Sequence, residues 1–160
     1  MRKRESGNRE LLTEELMANL RFTEKLNLVK SLSAEIIAYP AFSYRKLKDL
    51  LMLCSDNNID VVLKCTGSLC DLFCDILPDY RIRQLDDAED KKEKISKEIM
   101  ELRAQEQTLL ECYREYLTVL ETFSKLKTSK LTKEETAVIN YDRLKALATS
   151  CFCRLLERHP

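Results

Sequence analysis

Apolar residues recur at helical spacing along most of the chain, and this pattern predicts an all-α protein. From Glu10 to Tyr39, leucine, valine and isoleucine return at intervals of three, four and seven residues, as expected for one face of a helix. Pro40 ends this pattern because proline has no amide hydrogen to donate and clashes with the preceding turn. The sequence leaves open whether this region is one helix or two helices broken between Asn19 and Thr23.

Two more amphipathic helices follow. In the first, Ser43–Cys54, apolar residues recur at helical spacing and charged residues occupy the opposite face. The next four residues, 55–58 ("SDNN"), predict a turn that also supplies the N-cap of the following helix. That helix, Ile59–Leu77, is apolar around much of its circumference, so we expect it at the centre of the core with neighbours on two sides.

The longest predicted helix, Asp87–Leu126, carries a heptad seam in which Glu106 is the one charged position. The seam positions are Ile95, Ile99, Leu102, Glu106, Leu109, Tyr113, Tyr116, Leu120 and Phe123. We call the first three of them, Ile95, Ile99 and Leu102, the outer seam. Positions 109–123 are expected to pack within the domain, whereas the outer seam either packs internally or receives a helix from a partner. Glu106 either sets the register or marks where the helix leaves the domain.

The last predicted helix begins after a lysine-rich stretch. Thr132 and Glu135 have the spacing of a capping box, and an apolar stripe follows them. The stripe consists of Ala137, Tyr141, Leu144, Ala148, Cys151 and Leu155, with Leu147 and Leu156 beside it. Because the last apolar face of a helical stack needs cover, we expect more protein or a partner beyond Pro160.

The spacing of the prolines favours a HEAT-like helical-repeat fragment, also called an α-solenoid. Prolines at positions 40, 78 and 160 are separated by close to one and two units of a repeat of about 40 residues. The predicted parts are a disordered basic N-terminus at 1–9, a helical-repeat part at 10–77, a connector at 78–88, a long charged helix at 89–126 and a C-terminal helix at 127–160, continuing into a downstream domain.

The composition agrees with a helical protein and excludes several functional classes. The chain has only two glycines and three prolines, too few for the turns of a sheet protein. Its 27 basic and 27 acidic residues cancel, so contact with nucleic acid requires a local patch. No segment reaches the roughly 18 apolar residues that span a bilayer. We therefore expect no membrane contact, and the polar first residues lack the apolar stretch of a secretory signal.

Seven cysteines and a single histidine indicate a reducing compartment and buried thiols. Cys70 and Cys74 lie one helical turn apart, a spacing that zinc sites use, but no second ligand pair accompanies them and His159 lies at the chain end. The chain also has no glycine-rich phosphate loop, GxSxG or HExxH motif. We expect no enzyme activity, no metal, no cofactor and no small-molecule substrate.

Two basic segments are candidate contacts. In "DILPDYRIR" (75–83), extended backbone would place Tyr80 and Ile82 on one side and Arg81 and Arg83 on the other. Either the arginines pair with Asp71, Asp75 or the acidic start of the next helix, or they meet a phosphate or a partner's carboxylate. The lysines of the second segment, Lys125, Lys127, Lys130 and Lys133, form a solvated loop or contact RNA phosphates.

The segments "DILPDYRIRQL" and "EQTLLECYREYLTVLE" resemble the N-terminal conserved region of the nucleolar complex-associated protein 3 family. Members carry a similar proline–tyrosine–arginine joint, followed by a charged helix with two leucines and two spaced tyrosines. The resemblance runs from about Leu28 to Pro160 and includes "KLKDLL" and "LLERHP". Asp79 departs from the small residue expected after the proline. Family members are several times longer and have a helical C-terminal portion.

The resemblance implies a non-enzymatic scaffold in the nucleus and nucleolus. It would act with a sister nucleolar complex protein and pre-60S particles during large-subunit maturation and export. The alternatives are a chromatin-associated factor in DNA replication initiation and a generic coiled-coil adaptor. RNA and chromatin are both candidate contacts.

Overall fold

In a computed structural model, the described residues are 20–78, 80, 82, 97–126 and 135–158, and the regular elements in them are all α-helices. The helices are α1 (Phe22–Ala38), α2 (Pro40–Ser43), α3 (Lys46–Leu53), α4 (Ile59–Ile76), α5 (Lys97–Ser124) and α6 (Glu135–Arg158). The predicted all-α class is confirmed, while the HEAT-like repeat stays a prediction. None of these helices is both long and apolar enough to cross a membrane.

Pro40 separates α1 from a short helix that the sequence pattern did not predict. α1 ends at Ala38, and Pro40 takes the first position of α2, where its missing amide hydrogen has no partner to lose. A turn at Tyr44 and Arg45 then connects α2 to α3 through hydrogen bonds of the tighter i to i+3 kind. The prediction of a helix from Ser43 was therefore wrong at its start, because these bonds interrupt the α-helical ladder before Lys46.

The turn before α4 caps that helix as predicted. The Asn58 side chain accepts a hydrogen bond of 2.9 Å from the Asp60 amide. Asp56 in turn accepts 2.8 Å from the Asn58 amide. These bonds satisfy amide groups that the first helical turn leaves without partners. α4 then packs against α1, α3 and α6, which confirms its predicted central position.

One continuous apolar core joins α1, α3, α4, α5 and α6. Its largest fully buried side chains include Tyr116, Phe73, Ile36, Leu47, Leu50, Leu53, Leu69, Leu72, Leu109 and Leu120. The Phe73 ring contacts the rings of Tyr113 and Tyr116, each with 5.2 Å between centroids. Each buried leucine or phenylalanine stabilises the fold by about 1.5–3 kcal/mol, so this cluster holds α5 and α6 on the rest of the chain.

α5 is buried over only one half of its length. Its buried residues are Leu109, Cys112, Tyr116 and Leu120, and no residue between 97 and 108 is buried. The prediction that positions 109–123 pack within the domain is confirmed, since Leu109, Tyr116 and Leu120 are buried and Tyr113 and Phe123 pack against the core. Cys112, one position before the heptad residue Tyr113, is fully buried, whereas Tyr113 is half-buried.

α6 packs by the predicted stripe and is tied to α4 by arginines. Leu144, Ala148, Cys151 and Leu155 are buried, whereas Leu156 is exposed. Arg143 pairs with Asp60 at 3.0 Å, and Arg154 pairs with Asp71 at 2.6 Å. The two arginines are eleven positions apart on α6, and the two aspartates are eleven positions apart on α4. Eleven residues make about three helical turns, so both ion pairs lie on the same face of each helix. A third arginine, Arg158, donates to the Cys74 carbonyl at 3.3 Å.

The prediction that the cysteines are buried holds for five of the seven. Cys54, Cys65, Cys70, Cys112 and Cys151 are buried, and Cys74 is half-buried. Cys153 is exposed, so the prediction was wrong there, because two helical positions turn it away from the buried Cys151. Across the described ranges, no three His, Cys, Asp or Glu side chains form a group that could hold a metal ion.

Candidate interaction surface

The connector and α5 are joined by a hydrogen bond between two exposed side chains. The Tyr80 hydroxyl donates to the Glu106 carboxylate at 2.6 Å. The Tyr80 side chain remains 62% exposed, whereas Ile82 is half-buried against the core. The two side chains expected on one side of an extended segment therefore differ, because Ile82 packs against the core and Tyr80 stays outside it. Its hydroxyl reaches a carboxylate on the outer part of α5, and this contact holds the ring outside.

Glu106 also influences a second tyrosine. Its hydrogen bond to Tyr80 raises the pKa of that phenol, because the carboxylate favours the protonated hydroxyl. Burial raises the pKa of Tyr44, and the charge of Glu106 adds to this effect. The charge of Glu106 on α5 therefore acts on tyrosines from the turn after α2 and from the connector.

The described outer-seam residues lie beyond Glu106 and are exposed. Ile99 is 46% exposed and Leu102 is 53% exposed, and Met100 beside them is 60% exposed. On the other side of Glu106, the seam enters the core at Leu109. Glu106 thus stands where α5 leaves the core, which fits the second of its two predicted roles. The twelve residues from 97 to 108 extend for roughly 18 Å of helix at 1.5 Å per residue.

Several predicted contact residues lie outside the described part of the chain. These are Arg81, Arg83, Ile95, Lys127, Lys130 and Lys133. Lys125 is described, and it is exposed and paired with Glu121 one turn earlier. Asp71, one carboxylate expected to pair with the connector arginines, pairs with Arg154 of α6. Among the described residues, Tyr80 connects the connector to α5.

Sequence reasoning missed Tyr44 and Met100 as members of this surface. Tyr44 lies 36 positions before Tyr80 and 62 before Glu106, and no local pattern links such distant positions. Met100 follows the seam residue Ile99 and is off the heptad register. Its signal was only a large apolar side chain within a mostly charged stretch.

The fold and this surface define an all-helical protein with a packed core and an exposed helical contact region. A family profile described as nucleolar complex-associated protein matches residues 24–116, more than half of the chain. The matched range begins in α1, includes the connector and ends at the buried Tyr116. The chain belongs to the nucleolar complex-associated protein 3 family, as its resemblance predicted.

Several curated relatives support this assignment. The chain is 36% identical over 147 residues to nucleolar complex-associated protein 3 of Arabidopsis thaliana, covering 92% of this chain and 16% of that protein. It is 36% identical over 143 residues to the nucleolar complex protein 3 homolog of Danio rerio, covering 86% of this chain and 18% of that protein. The Homo sapiens homolog is 34% identical over 143 residues, with the same coverage of 86% and 18%. The chain spans less than a fifth of the length of these relatives.

Proposed function

We propose that this chain is a non-enzymatic helical scaffold in ribosome biogenesis, acting in maturation and export of the large-subunit pre-ribosome. The observation that carries this proposal is the family match over residues 24–116, which includes most of α1, all of α2 to α4, the connector and α5 as far as Tyr116. The relatives are named as nucleolar complex proteins, which supports a role in a nucleolar assembly. An all-helical fold with an exposed helical surface suits binding.

The proposed location is the nucleolus and nucleus, and the proposed partners are a sister nucleolar complex protein and pre-60S particles. The names of the relatives support a complex-forming protein. We propose the same division of the chain into segments that the sequence predicts. In this division, the helix pair within residues 43–77 forms one HEAT-like unit. The central packing of α4 between α1, α3 and α6 supports stacking of helical layers.

The outer seam is the proposed docking site for an amphipathic helix of a partner protein. Ile99 and Leu102 lie one turn apart and expose about half of their side-chain surface. Burying such side chains in a complex would contribute about 25 cal/mol for each Å² of apolar surface removed from water. Because Glu106 is bound by Tyr80, the connector would fix the direction in which this part of α5 leaves the core.

The proposed function is tested by fractionation of cells that carry the tagged chain. We expect the chain to co-sediment with pre-60S particles and to leave them after RNase treatment. Sedimentation as a small species, with no particle association, would overturn the scaffold role. Retention on chromatin that resists RNase but is released by DNase would instead favour the chromatin-associated alternative.

A charge-matched pair of variants tests the outer seam. Substitution of Ile95, Ile99 and Leu102 with glutamate should abolish capture of the partner and leave the melting curve unchanged, because the described seam residues are exposed. The control carries Lys97→Glu and Ala104→Glu, which change the net charge by the same three units at other exposed positions of α5. Unfolding of the seam variant alone would show that the seam belongs to the core.

The connector arginines are tested by the double variant Arg81→Ala and Arg83→Ala. If they contact a partner, the Tm stays nearly constant while partner or RNA binding weakens. A fall of a few degrees is about what loss of 1 kcal/mol produces in a chain of this length, and it would assign both arginines to the fold instead.

A further inference from the structure

A carboxylate lies at the inner end of the exposed seam of α5. Ile99 and Leu102 are 46% and 53% exposed, whereas Leu109, the first seam position after Glu106, is only 1% exposed. Steps of three and four residues place these side chains and the half-buried Glu106 on one face of the helix. A helix that lies along the outer seam therefore meets Glu106 before it reaches the core.

Covering Glu106 with an apolar helix alone would be unfavourable. Tyr80 donates one hydrogen bond of 2.6 Å to a single oxygen of this carboxylate, and a neutral hydroxyl brings no opposite charge. A carboxylate that loses its water without gaining a cation opposes docking, and this loss offsets what two half-exposed aliphatic side chains gain by burial. The helix on the outer seam should therefore bring a positive charge to Glu106.

Tyr80 favours arginine as that cation. Its hydroxyl is held against the Glu106 carboxylate while its side chain remains 62% exposed, so a cation at the carboxylate lies beside an accessible aromatic ring. A guanidinium donates two parallel hydrogen bonds to a carboxylate and also stacks on an aromatic face. A lysine ammonium is a more strongly hydrated point charge and lacks this planar fork. The carboxylate and the ring together suit arginine better than lysine.

We propose that the partner helix on the outer seam carries an arginine that pairs with Glu106 and stacks on the Tyr80 ring, an inference that rests on the proposed docking at the outer seam. The docked helix has apolar side chains at the positions that face Ile99 and Leu102. Its arginine follows one turn farther along the same face. The partner is thus an amphipathic helix whose apolar stripe ends in a guanidinium.

The core of this chain sets where the contact ends. Leu109 lies on the same face as the outer seam and belongs to the buried core, so a straight helix cannot continue along the seam past Glu106. The part of α5 outside the core, residues 97–108, offers about three helical turns. The arginine should therefore stand in a terminal turn of the docked segment, next to its apolar residues.

Stapled helical peptides test this pairing on the 160-residue chain. Each peptide carries leucine at three consecutive seam positions and arginine at the fourth, and two versions place the arginine at the N-terminal or the C-terminal end to allow both orientations. Matched peptides replace the arginine by lysine, glutamine or glutamate. In one orientation, fluorescence anisotropy should show the arginine peptide binding about tenfold more tightly than the glutamine peptide, with lysine between them and glutamate weakest.

Charge reversal on the chain identifies the carboxylate. With Glu106→Arg, the order should reverse, so that the glutamate peptide binds most tightly. With Glu106→Gln, the arginine and glutamine peptides should bind equally, which keeps the test valid where Glu106→Arg fails to fold. The control is Glu101→Arg, the same charge change at an exposed position of α5, and it should keep the original order. Tyr80→Leu should remove the preference for arginine over lysine.

An arginine preference that survives Glu106→Gln would overturn the inference, as would equal binding of the arginine, glutamine and glutamate peptides to the native chain. Either result would leave docking at the outer seam intact. Failure of every peptide to bind would also overturn the arginine pairing. The scaffold role is judged separately, by co-sedimentation of the tagged chain with pre-60S particles, and it can stand where the arginine pairing fails.

Discussion

The Tyr116 hydroxyl of α5 donates a hydrogen bond of 2.9 Å to the main-chain carbonyl of Thr66, in the middle of α4. Both residues are fully buried, and the Tyr116 ring also packs against Phe73 of α4. Burial raises the pKa of this phenol, so the hydroxyl stays protonated and continues to donate. One side chain therefore gives α5 both an apolar contact and a polar contact with the central helix.

Tyr116→Phe should lower the free energy of unfolding by about 1 kcal/mol, because the ring stays while a buried hydrogen bond is lost. Urea denaturation followed by circular dichroism measures this change. Tyr113→Phe is the control, since the half-buried Tyr113 contacts Phe73 through its ring. Equal losses in the two variants would contradict a specific role for the Thr66 hydrogen bond.

Lys25 and Asp56 form an ion pair whose side chains are only 11% and 10% exposed. Lys25→Met should lower the free energy of unfolding by about 3 kcal/mol, because it leaves a largely buried carboxylate without its cation. The control is Lys46→Met, which removes the cation from the more exposed pair with Glu35 and should cost less than about 1 kcal/mol. Chemical denaturation of both variants at neutral pH compares the two pairs, and similar losses would argue against the effect of burial.

The Asp56 carboxylate should also make the free energy of unfolding depend on pH. Burial alone would raise the pKa of Asp56, but hydrogen bonds from Lys25 and from the Asn58 amide outweigh it and lower the pKa below 3.8. A depressed pKa means that the folded state binds protons less readily, so the stabilisation is complete above the unfolded value and is lost as pH falls through the folded value. The free energy of unfolding should therefore fall below about pH 4. Asp56→Asn should flatten this part of the curve, and parallel curves would contradict the assignment.

Replacement of Glu106, whose carboxylate accepts the hydrogen bond from Tyr80, should change the titration of the Tyr80 hydroxyl. In Glu106→Gln, the pKa of Tyr80 should fall towards its ordinary value of 10.0, because the hydrogen bond to a charged acceptor is gone. An NMR titration of labelled tyrosine measures this shift. Since both side chains are exposed, the Tm should change by only about 1–2 °C. Glu101→Gln, at an exposed position on the same helix, should leave the titration of Tyr80 unchanged.

Sequence patterns placed the core stripes well because each depends on local spacing. The stripes of α4 and α6 and the packed half of α5 were predicted from periodicity, and their central positions are buried. The break at Tyr44 and Arg45 was missed, since both residues fit a helical pattern and only their hydrogen bonds reveal the turn. The candidate surface was predicted in part, through Ile99 and Leu102, but its aromatic contact to Glu106 was not.

The sequence by itself determined the helical class and the ends of helices at Pro40 and Asn58, because these follow from backbone chemistry within a few residues. It also determined which face of each helix is apolar. Only the tertiary structure decided that Tyr80 turns outward to Glu106 and that the Cys70 thiol reaches the Cys151 carbonyl. These partners lie 26 and 81 residues apart, so their meeting depends on how the helices pack rather than on any local preference.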